Sequence, residues 1–331
     1  MAVENDMSGF DMFSEYEEIV INDIDDLPGV LKTLKNEMTV EDDDDDEPVN
    51  EWIYQDGAWS PSFNSVRADA LPAGCYTVDQ VQGKYFVDAK PLNLDKIYEM
   101  PDGYSRPILN EIEKFWSKKE LYADAGLVHK RGILLSGPPG TGKSSTINLL
   151  AKDVIQKGGL VFHVSNVRDL DLLVSFVKTK LRKIQPDTPI IVVIEDIDEL
   201  KNHSSGFLLS FLDGENQLNS CVTVATTNRA NTLDDLILRP SRFDWHIEVD
   251  MPNEDCRRVY FEKTGVSADK IDAFVKETEG LSMAHLKEVF IATHLLDYEL
   301  EEVISKLEKQ DDMIKTFAGT TKLKNIGFGS K

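Results

Sequence analysis

The chain has 331 residues, of which 41% are hydrophobic and 29% are charged. This length provides for a large buried core and about two domains. The formal net charge of −23 argues against an outer surface that grips nucleic acid, because that function needs clustered lysine and arginine; it leaves open a small basic patch inside a pore.

The sequence contains no apolar run long enough to span a membrane and no N-terminus of the signal-peptide type. Its three cysteines, Cys75, Cys221 and Cys256, are widely spaced and lack the spacing of metal ligands. We therefore expect free thiols in a reducing compartment, a cytoplasmic location and no association with a membrane.

The first 50 residues differ from the rest of the chain in charge. They contain 17 acidic and two basic side chains, a net charge of −15, which leaves −8 for the other 281 residues. The unbroken acidic run at 41–47 repels itself, so we predict that residues 1–50 are disordered. Two interpretations stay open for the apolar residues among these acids: a solvated tail, or a short segment that binds a partner.

Residues 51–105 have a different pattern, in which aromatic and β-branched residues alternate with polar and turn residues. This pattern predicts a small β-rich module whose aromatic side chains form its own core. Together, residues 1–100 are the part of the chain that we expect to recognise a protein partner.

Residues 106–252 alternate between helical and strand patterns. The spacing of Ile108, Ile112 and Phe115 predicts a first helix. Five short apolar strands follow, at Ile133–Leu135, Leu160–Val164, Ile190–Ile194, Cys221–Ala225 and His246–Val249. This alternation predicts an α/β fold with a doubly wound parallel sheet and a ligand site at the carboxyl ends of its strands.

The apolar strands stop after Pro252, and only helical patterns follow. We predict helices at 257–264, 268–277 and 282–309, with breaks at Gly265 and Gly280. The predicted organisation is therefore a helical domain over residues 253–316, which follows the α/β domain, and a loose tail at 317–331.

The first functional motif lies between a predicted strand and a predicted helix. It consists of Gly137, Pro138, Pro139, Gly140, Thr141, Gly142, Lys143, Ser144 and Ser145. Glycines let backbone N–H groups surround a phosphate, the lysine can reach the β- and γ-phosphates, and the hydroxyl of Ser144 can bind Mg²⁺. The motif predicts a site for a nucleoside triphosphate and Mg²⁺.

Two further motifs supply groups for hydrolysis. Glu195 and Asp196 follow a buried strand, so one carboxylate can order the Mg²⁺ shell while the other polarises the attacking water. These residues alone do not decide which of the two acids has which role. Asn228 ends the next predicted strand, where its amide can hold the water against the γ-phosphate.

Two arginines, Arg239 and Arg242, lie three residues apart in the segment Leu238-Arg-Pro-Ser-Arg-Phe-Asp. Both can face the nucleotide of a neighbouring subunit, where a positive charge stabilises the transition state of phosphoryl transfer. Either arginine alone is also typical of a surface ion pair.

In this order, these motifs resemble those of the AAA branch of the AAA+ ATPases. The segments Phe211-Leu-Asp-Gly and Gly280-Leu-Ser-Met-Ala-His-Leu resemble that family too, and the resemblance covers about residues 106–300. It implies an ATPase that forms a ring, usually of six copies, with ATP at each subunit interface. It also implies that Lys143 and Ser144 serve ATP and Mg²⁺, that Asn228 is the sensor, and that Arg239 and Arg242 act on the next subunit. By position it gives the metal to Glu195 and the water to Asp196, and the reverse assignment stays open.

The chain departs from the family pattern in its N-terminal half, where the module at 51–100 resembles neither the double-barrel substrate domain of segregase-type unfoldases nor a membrane anchor, and also in its acidic pair and its pore loop. The usual acidic order is Asp then Glu, whereas here Glu195 precedes Asp196, as in the branch that resembles the mitochondrial translocase of the Rieske iron–sulfur protein. The position of the peptide-gripping pore loop holds residues 164–171, which contain no aromatic residue and no glycine. Asn166 in this segment is either an ordinary loop residue or a partner of the catalytic acid.

Three functions are compatible with these features. The first is an ATP-hydrolysing ring that remodels, assembles or translocates a protein partner. The second is a scaffold that assembles on binding ATP and hydrolyses it slowly or not at all. The third, a motor directed by nucleic acid, is disfavoured by the acidic composition.

Overall fold

The computed structural model describes residues 51–55, 58–62, 68–81, 83–91, 97–101, 103–229, 233 and 235–310, without the side chains of 51–62 and 201–205. The acidic segment at 1–50, the tail at 317–331 and the end of the helical domain at 311–316 were predicted from the sequence and lie outside the described residues. The chain divides into two compact units, residues 1–69 and residues 70–331.

The described part of the first unit is a β-hairpin. Strand β1 (Glu51–Gln55) pairs with β2 (Ala58–Ser62) in antiparallel register, from Gln55 opposite Ala58 to Glu51 opposite Ser62. This hairpin is a two-stranded sheet of its own.

The second unit is built on a seven-stranded sheet with the order β4-β3-β6-β7-β8-β5-β9. Its strands are β3 (Gly74–Val81), β4 (Lys84–Ala89), β5 (Lys130–Ser136), β6 (Leu160–Val164), β7 (Ile190–Ile194), β8 (Cys221–Thr227) and β9 (Trp245–Glu248). All neighbouring pairs are parallel except β3 with β4. The predicted α/β fold with a mostly parallel sheet is confirmed.

The structure corrects the prediction of one separate β-rich module over residues 51–105. Strand β3 pairs with β6, with Gly74 opposite Leu160 and Tyr76 opposite Phe162, so β3 and β4 extend the central sheet. The Tyr76 ring lies 6.1 Å from the Phe162 ring, and its side chain is buried there. The alternating pattern predicted the strands, but a pattern does not identify a pairing partner more than 80 residues away.

Helices cover both faces of the sheet. They are α1 (Ser105–Trp116), α2 (Lys119–Asp124), α3 (Lys143–Gln156), α4 (Val167–Phe176) and α5 (Ile197–Asp213), and α4 continues through a π-helical turn at Val177–Leu181 into Arg182–Ile184. One core joins strand residues such as Ile194 to α4 and α5, and the other joins residues such as Val193 to α1 and α3. Successive residues of β7 therefore point into opposite cores, as the pleat requires.

The C-terminal helices enclose a third core. They are α6 (Glu254–Thr264), α7 (Ala268–Glu277) and α8 (Met283–Phe290), followed by a π-helical turn at Ile291–Leu295 and a helix over 300–310. The prediction of one helix over 282–309 is wrong, because the chain leaves the helix at 296–299 and Asp297 adopts φ = 58°. Neither glycine nor proline marks this break in the sequence. Among the residues that the structure describes, no helix has both the length and the apolarity to cross a membrane.

Candidate active site

The loop predicted to bind phosphate connects β5 to α3 at the carboxyl end of the sheet. At two of its glycines, neighbouring atoms leave no space for a side chain. A Cβ atom at Gly137 would lie 2.1 Å from the carbonyl oxygen of Val249, and one at Gly140 would lie 2.7 Å from the hydroxyl of Ser282. Gly140 also accepts a hydrogen bond from the backbone N–H of Ala284 at 3.1 Å. The loop is therefore in direct contact with the start of α8.

Lys143 is the first residue of α3 and is only 6% exposed. Its ammonium donates to the carbonyl oxygens of Gly137 at 2.8 Å and Pro138 at 2.7 Å. Burial lowers the pKa of Lys143, and the nearby charge of Asp196 opposes that shift. An anionic phosphate at this position would stabilise a cation that the protein has largely removed from water.

Glu195 follows the last residue of β7 and is exposed. The hydroxyl of Ser144 donates to its carboxylate at 3.4 Å, so the two residues predicted to hold Mg²⁺ lie side by side. Carboxylate and hydroxyl oxygens are hard donors of the kind that Mg²⁺ prefers. The residues present therefore fit a Mg²⁺ ion, which Ser144 and Glu195 would hold.

Asp196 and Asn228 lie together at the ends of β7 and β8. The side-chain amide of Asn228 donates to a carboxylate oxygen of Asp196 at 2.8 Å. Asp196 has φ = 48° and ψ = 55°, the left-handed region, and it is the N-cap residue that precedes helix α5. This arrangement separates the two acids, since Glu195 contacts Ser144 while Asp196 contacts Asn228.

A cavity of about 840 Å³ is lined by most of these groups, although Gly137, Pro138 and Glu195 do not line it. The residues at its phosphate end are Pro139, Gly140, Thr141, Gly142, Lys143, Ser144, Ser145, Asp196 and Asn228, and the wall away from the loop includes Tyr98, Met100, Tyr104, Tyr260 and Phe290. This wall is suited to an aromatic base. Sequence reasoning missed it because its residues come from three distant segments that share no motif.

The two arginines differ in their surroundings. Arg239 is exposed, whereas the side chain of Arg242 is 15% exposed and donates to the carbonyl oxygen of Leu236. The Nε atom of Arg242 also lies 3.9 Å from the Asp213 carboxylate. Neither arginine, both being among the described residues, lines the cavity of its own chain.

The segment at the position of the pore loop is mostly helical. Strand β6 ends at Val164 and α4 begins at Val167, so only two residues separate them. Asn166 caps α4: its side chain accepts from the N–H of Asp169 at 3.0 Å and donates to the Asp169 carboxylate at 2.9 Å. Asn166 is thus engaged within its own helix turn and not with Glu195 or Asp196.

The fold and the loop geometry define a P-loop nucleotide-binding protein. Residues 133–251 match the family described as "ATPase family associated with various cellular activities (AAA)", and the chain accordingly carries an AAA ATPase domain. This confirms the resemblance drawn from the motifs.

Two kinds of curated relatives are similar to this chain. The ATP-dependent zinc metalloprotease FtsH of Mycoplasma genitalium is 32% identical over 244 residues, which are 66% of this chain and 34% of the relative. The proteasome-activating nucleotidase of Methanothermobacter thermautotrophicus is 32% identical over 255 residues, which are 67% of this chain and 58% of the relative. The chain thus spans about a third of the first relative and little more than half of the second.

Proposed function

We propose that this protein hydrolyses ATP with Mg²⁺ and that ring-shaped assemblies of it use the energy to remodel, assemble or translocate a protein partner. The observation that carries the proposal is the placement of Lys143, Ser144 and the Asp196–Asn228 pair around one cavity, with the Glu195 carboxylate in contact with Ser144. These are the groups that phosphoryl transfer to water requires.

Each side chain has a distinct role in this proposal. Lys143 would turn from the carbonyl oxygens of its own loop to the β- and γ-phosphates, and Ser144 and Glu195 would hold Mg²⁺. When bound, Mg²⁺ supplies positive charge to the phosphate oxygens. Asn228 would orient a water molecule and Asp196 would accept its proton as the oxygen attacks the γ-phosphorus and the bond to ADP breaks.

The arginines lead us to propose a composite site between copies. Arg239 is exposed and has the freedom to reach a neighbouring copy, whereas Arg242 is bound to the Leu236 carbonyl and lies near Asp213. We assign the direct contact with the neighbour's nucleotide to Arg239. The role of Arg242 would be to shape the segment that presents Arg239, and its guanidinium would reach the neighbour only after leaving those contacts.

The proposed action on proteins draws on the relatives. The names of both relatives refer to proteolysis, one as a zinc metalloprotease and the other as a proteasome-activating nucleotidase. The partner of this chain would be recognised through residues 1–100.

A second candidate, the ATP-gated scaffold, is favoured by one observation. Only Ser165 and Asn166 separate β6 from α4, and α4 begins where a peptide-gripping loop would extend. A ring without such a loop has less means to pull on an unfolded chain, so assembly itself would be its function.

Two measurements on the purified full chain distinguish these functions. We expect phosphate release with Mg-ATP and a larger sedimenting species with ATP than without nucleotide. Assembly on ATP without phosphate release would favour the scaffold. Absence of both would overturn the proposal, and a rate that increases with added DNA or RNA would favour a motor directed by nucleic acid.

A further inference from the structure

We propose that Thr226 is a positioning residue for ATP hydrolysis: its buried hydroxyl holds the backbone of Asp196 in the conformation that directs this carboxylate towards Asn228 and the cavity. The inference rests on the proposed function. Thr226 is the sixth residue of β8 and is 3% exposed.

The first step concerns the backbone of Asp196. Its φ of 48° lies in the left-handed region, which residues other than glycine adopt only when their surroundings support it. The N–H of Asp196 donates to the Thr226 hydroxyl at 3.0 Å, and its carbonyl oxygen accepts from the N–H of Glu199 at 2.8 Å. Both backbone groups of the residue are therefore held in place.

The second step concerns the end of the sheet. The pairing of β7 with β8 ends at Ile194 opposite Ala225, so the N–H of Asp196 lies beyond the backbone ladder. A partly buried N–H that lacks an acceptor is unfavourable. The next side chain of β8, Thr226, provides the acceptor that the ladder does not.

The third step separates Thr226 from its neighbour. Successive residues of a strand point to opposite faces. The hydroxyl of Thr227 donates to the Asp198 carboxylate at 2.8 Å and accepts from the N–H of Arg229 at 3.0 Å. Thr227 thus secures the first turn of α5, Thr226 secures the backbone of Asp196, and Asn228 contacts its carboxylate.

Thr226 lines the cavity, but its hydroxyl is engaged by the N–H of Asp196, so loss of this hydroxyl would affect turnover and not binding. Loss of the Thr226 hydroxyl would let the peptide before Asp196 rotate, which would move the carboxylate from its position beside Asn228. The phosphate-binding loop and its Lys143 belong to β5 and α3 and would keep their geometry. A base that is displaced by a fraction of its hydrogen-bond distance lowers the rate of the chemical step alone.

Three variants test the proposal in the full-length protein. Thr226→Val keeps the shape of the side chain and removes the hydroxyl, Thr226→Ser keeps the hydroxyl, and Thr223→Val alters another buried threonine of β8. We expect kcat to fall about tenfold in Thr226→Val, which corresponds to about 1.4 kcal/mol, with unchanged KM for ATP and unchanged affinity for mant-ATP. Thr226→Ser and Thr223→Val are expected to keep the wild-type kcat. If Thr226→Val does not fold, Thr226→Ala removes the hydroxyl with less steric demand.

The possible results separate this proposal from the proposed function. A wild-type protein that does not release phosphate would overturn both. An active wild type with the same kcat in Thr226→Val would overturn the role of Thr226 alone. Equal loss of mant-ATP affinity and thermal stability in Thr226→Val and Thr223→Val would also overturn it, because it would reveal a general packing effect of the strand.

Discussion

The phosphate-binding loop and the arginine segment at 236–244 both carry cationic side chains, but these side chains differ in burial and in the direction they face. Lys143 is buried and faces the cavity of its own chain, whereas Arg239 is exposed and Arg242 turns back to the Leu236 carbonyl. The loop therefore holds what is needed to bind a triphosphate within one chain. The positive charge needed to hydrolyse it would come from another chain.

These two regions are nevertheless connected through β5. The N–H of Gly132 donates to the Asp244 carboxylate at 2.9 Å, and the N–H of Asp244 donates to the Gly132 carbonyl oxygen at 2.9 Å. The strand that leads into the phosphate-binding loop thus also holds the segment that carries the arginines. In the proposed assembly, a shift of β5 at one nucleotide would move the arginines that we assign to the nucleotide of the next copy, and this would couple the two sites.

The contrast between these two regions predicts that substitution of Arg239 has the largest effect on turnover. We expect Arg239→Ala to lower kcat by about 10⁴, as removal of such an arginine does in related reactions, without loss of nucleotide affinity. Steady-state phosphate release and mant-ATP binding measure the two effects. Arg258→Ala is a matched control, because Arg258 is an arginine of α6 paired with Asp272 and Glu254 on the protein surface.

A mixing experiment tests whether Arg239 acts on a neighbour. Arg239→Ala has an intact loop and Lys143→Ala has an intact arginine, so mixed assemblies would contain complete composite sites. We expect the mixture to recover turnover that neither variant has alone. No recovery, in assemblies that demonstrably mix, would place Arg239 in the site of its own chain and remove the contrast between the two regions.

The second effect concerns the assignment of the two acids. Asp196→Asn removes the proposed base and should lower kcat by about 10³ with ATP affinity retained. Glu195→Gln should instead raise the Mg²⁺ concentration required for half-maximal turnover, because Glu195 contacts Ser144. The exposed Asp171 of α4 provides the control Asp171→Asn. The opposite pattern, with the metal requirement altered in Asp196→Asn, would reverse the two roles.

The sequence allowed prediction wherever the residues that act together are also close together in the chain. The strand, the glycines, Lys143 and Ser144 are consecutive, so the loop could be predicted residue by residue. The parallel strands could also be predicted, because full burial makes β7 a continuous apolar run and leaves β8 mostly apolar up to Ala225. The Asp196–Asn228 contact was predictable only in outline, from two strands that end at the same edge.

Other features depend on contacts that no local pattern encodes. The pairing of β3 with β6 and the aromatic wall of the cavity bring together segments that are far apart in the chain. The break after Leu295 lacks the glycine or proline that usually marks one. The different surroundings of Arg239 and Arg242 follow from the fold of the 236–244 segment. Their spacing in the sequence gave no reason to assign them different roles.

The third prediction concerns the phosphate-binding loop, the part of the site that lies within a single chain. Lys143→Ala should weaken ATP binding about 100-fold, because charge-assisted hydrogen bonds to phosphate are lost from a buried position. Lys152→Ala, at an exposed lysine of the same helix, is the control. Equilibrium binding of mant-ATP to the two variants measures the difference. Equal affinities would contradict the view that the loop alone binds the triphosphate.

The smallest effect concerns the contact between the loop and α8. Gly140 has φ = 77° and Gly158 has φ = 80°, so alanine strains the backbone at both positions, by about 1 kcal/mol. Only at Gly140 would the new Cβ meet Ser282 and Ala284, at 2.7 and 3.1 Å; at Gly158 it would meet nothing within 4 Å. Ser282 caps α8, so its hydroxyl cannot turn away without loss of that cap. We therefore expect a larger loss of thermal stability in Gly140→Ala than in Gly158→Ala, and a roughly fivefold loss of mant-ATP affinity in Gly140→Ala alone, which is about 1 kcal/mol. Unchanged affinity in Gly140→Ala would mean that nucleotide binding does not depend on the contact between the loop and α8.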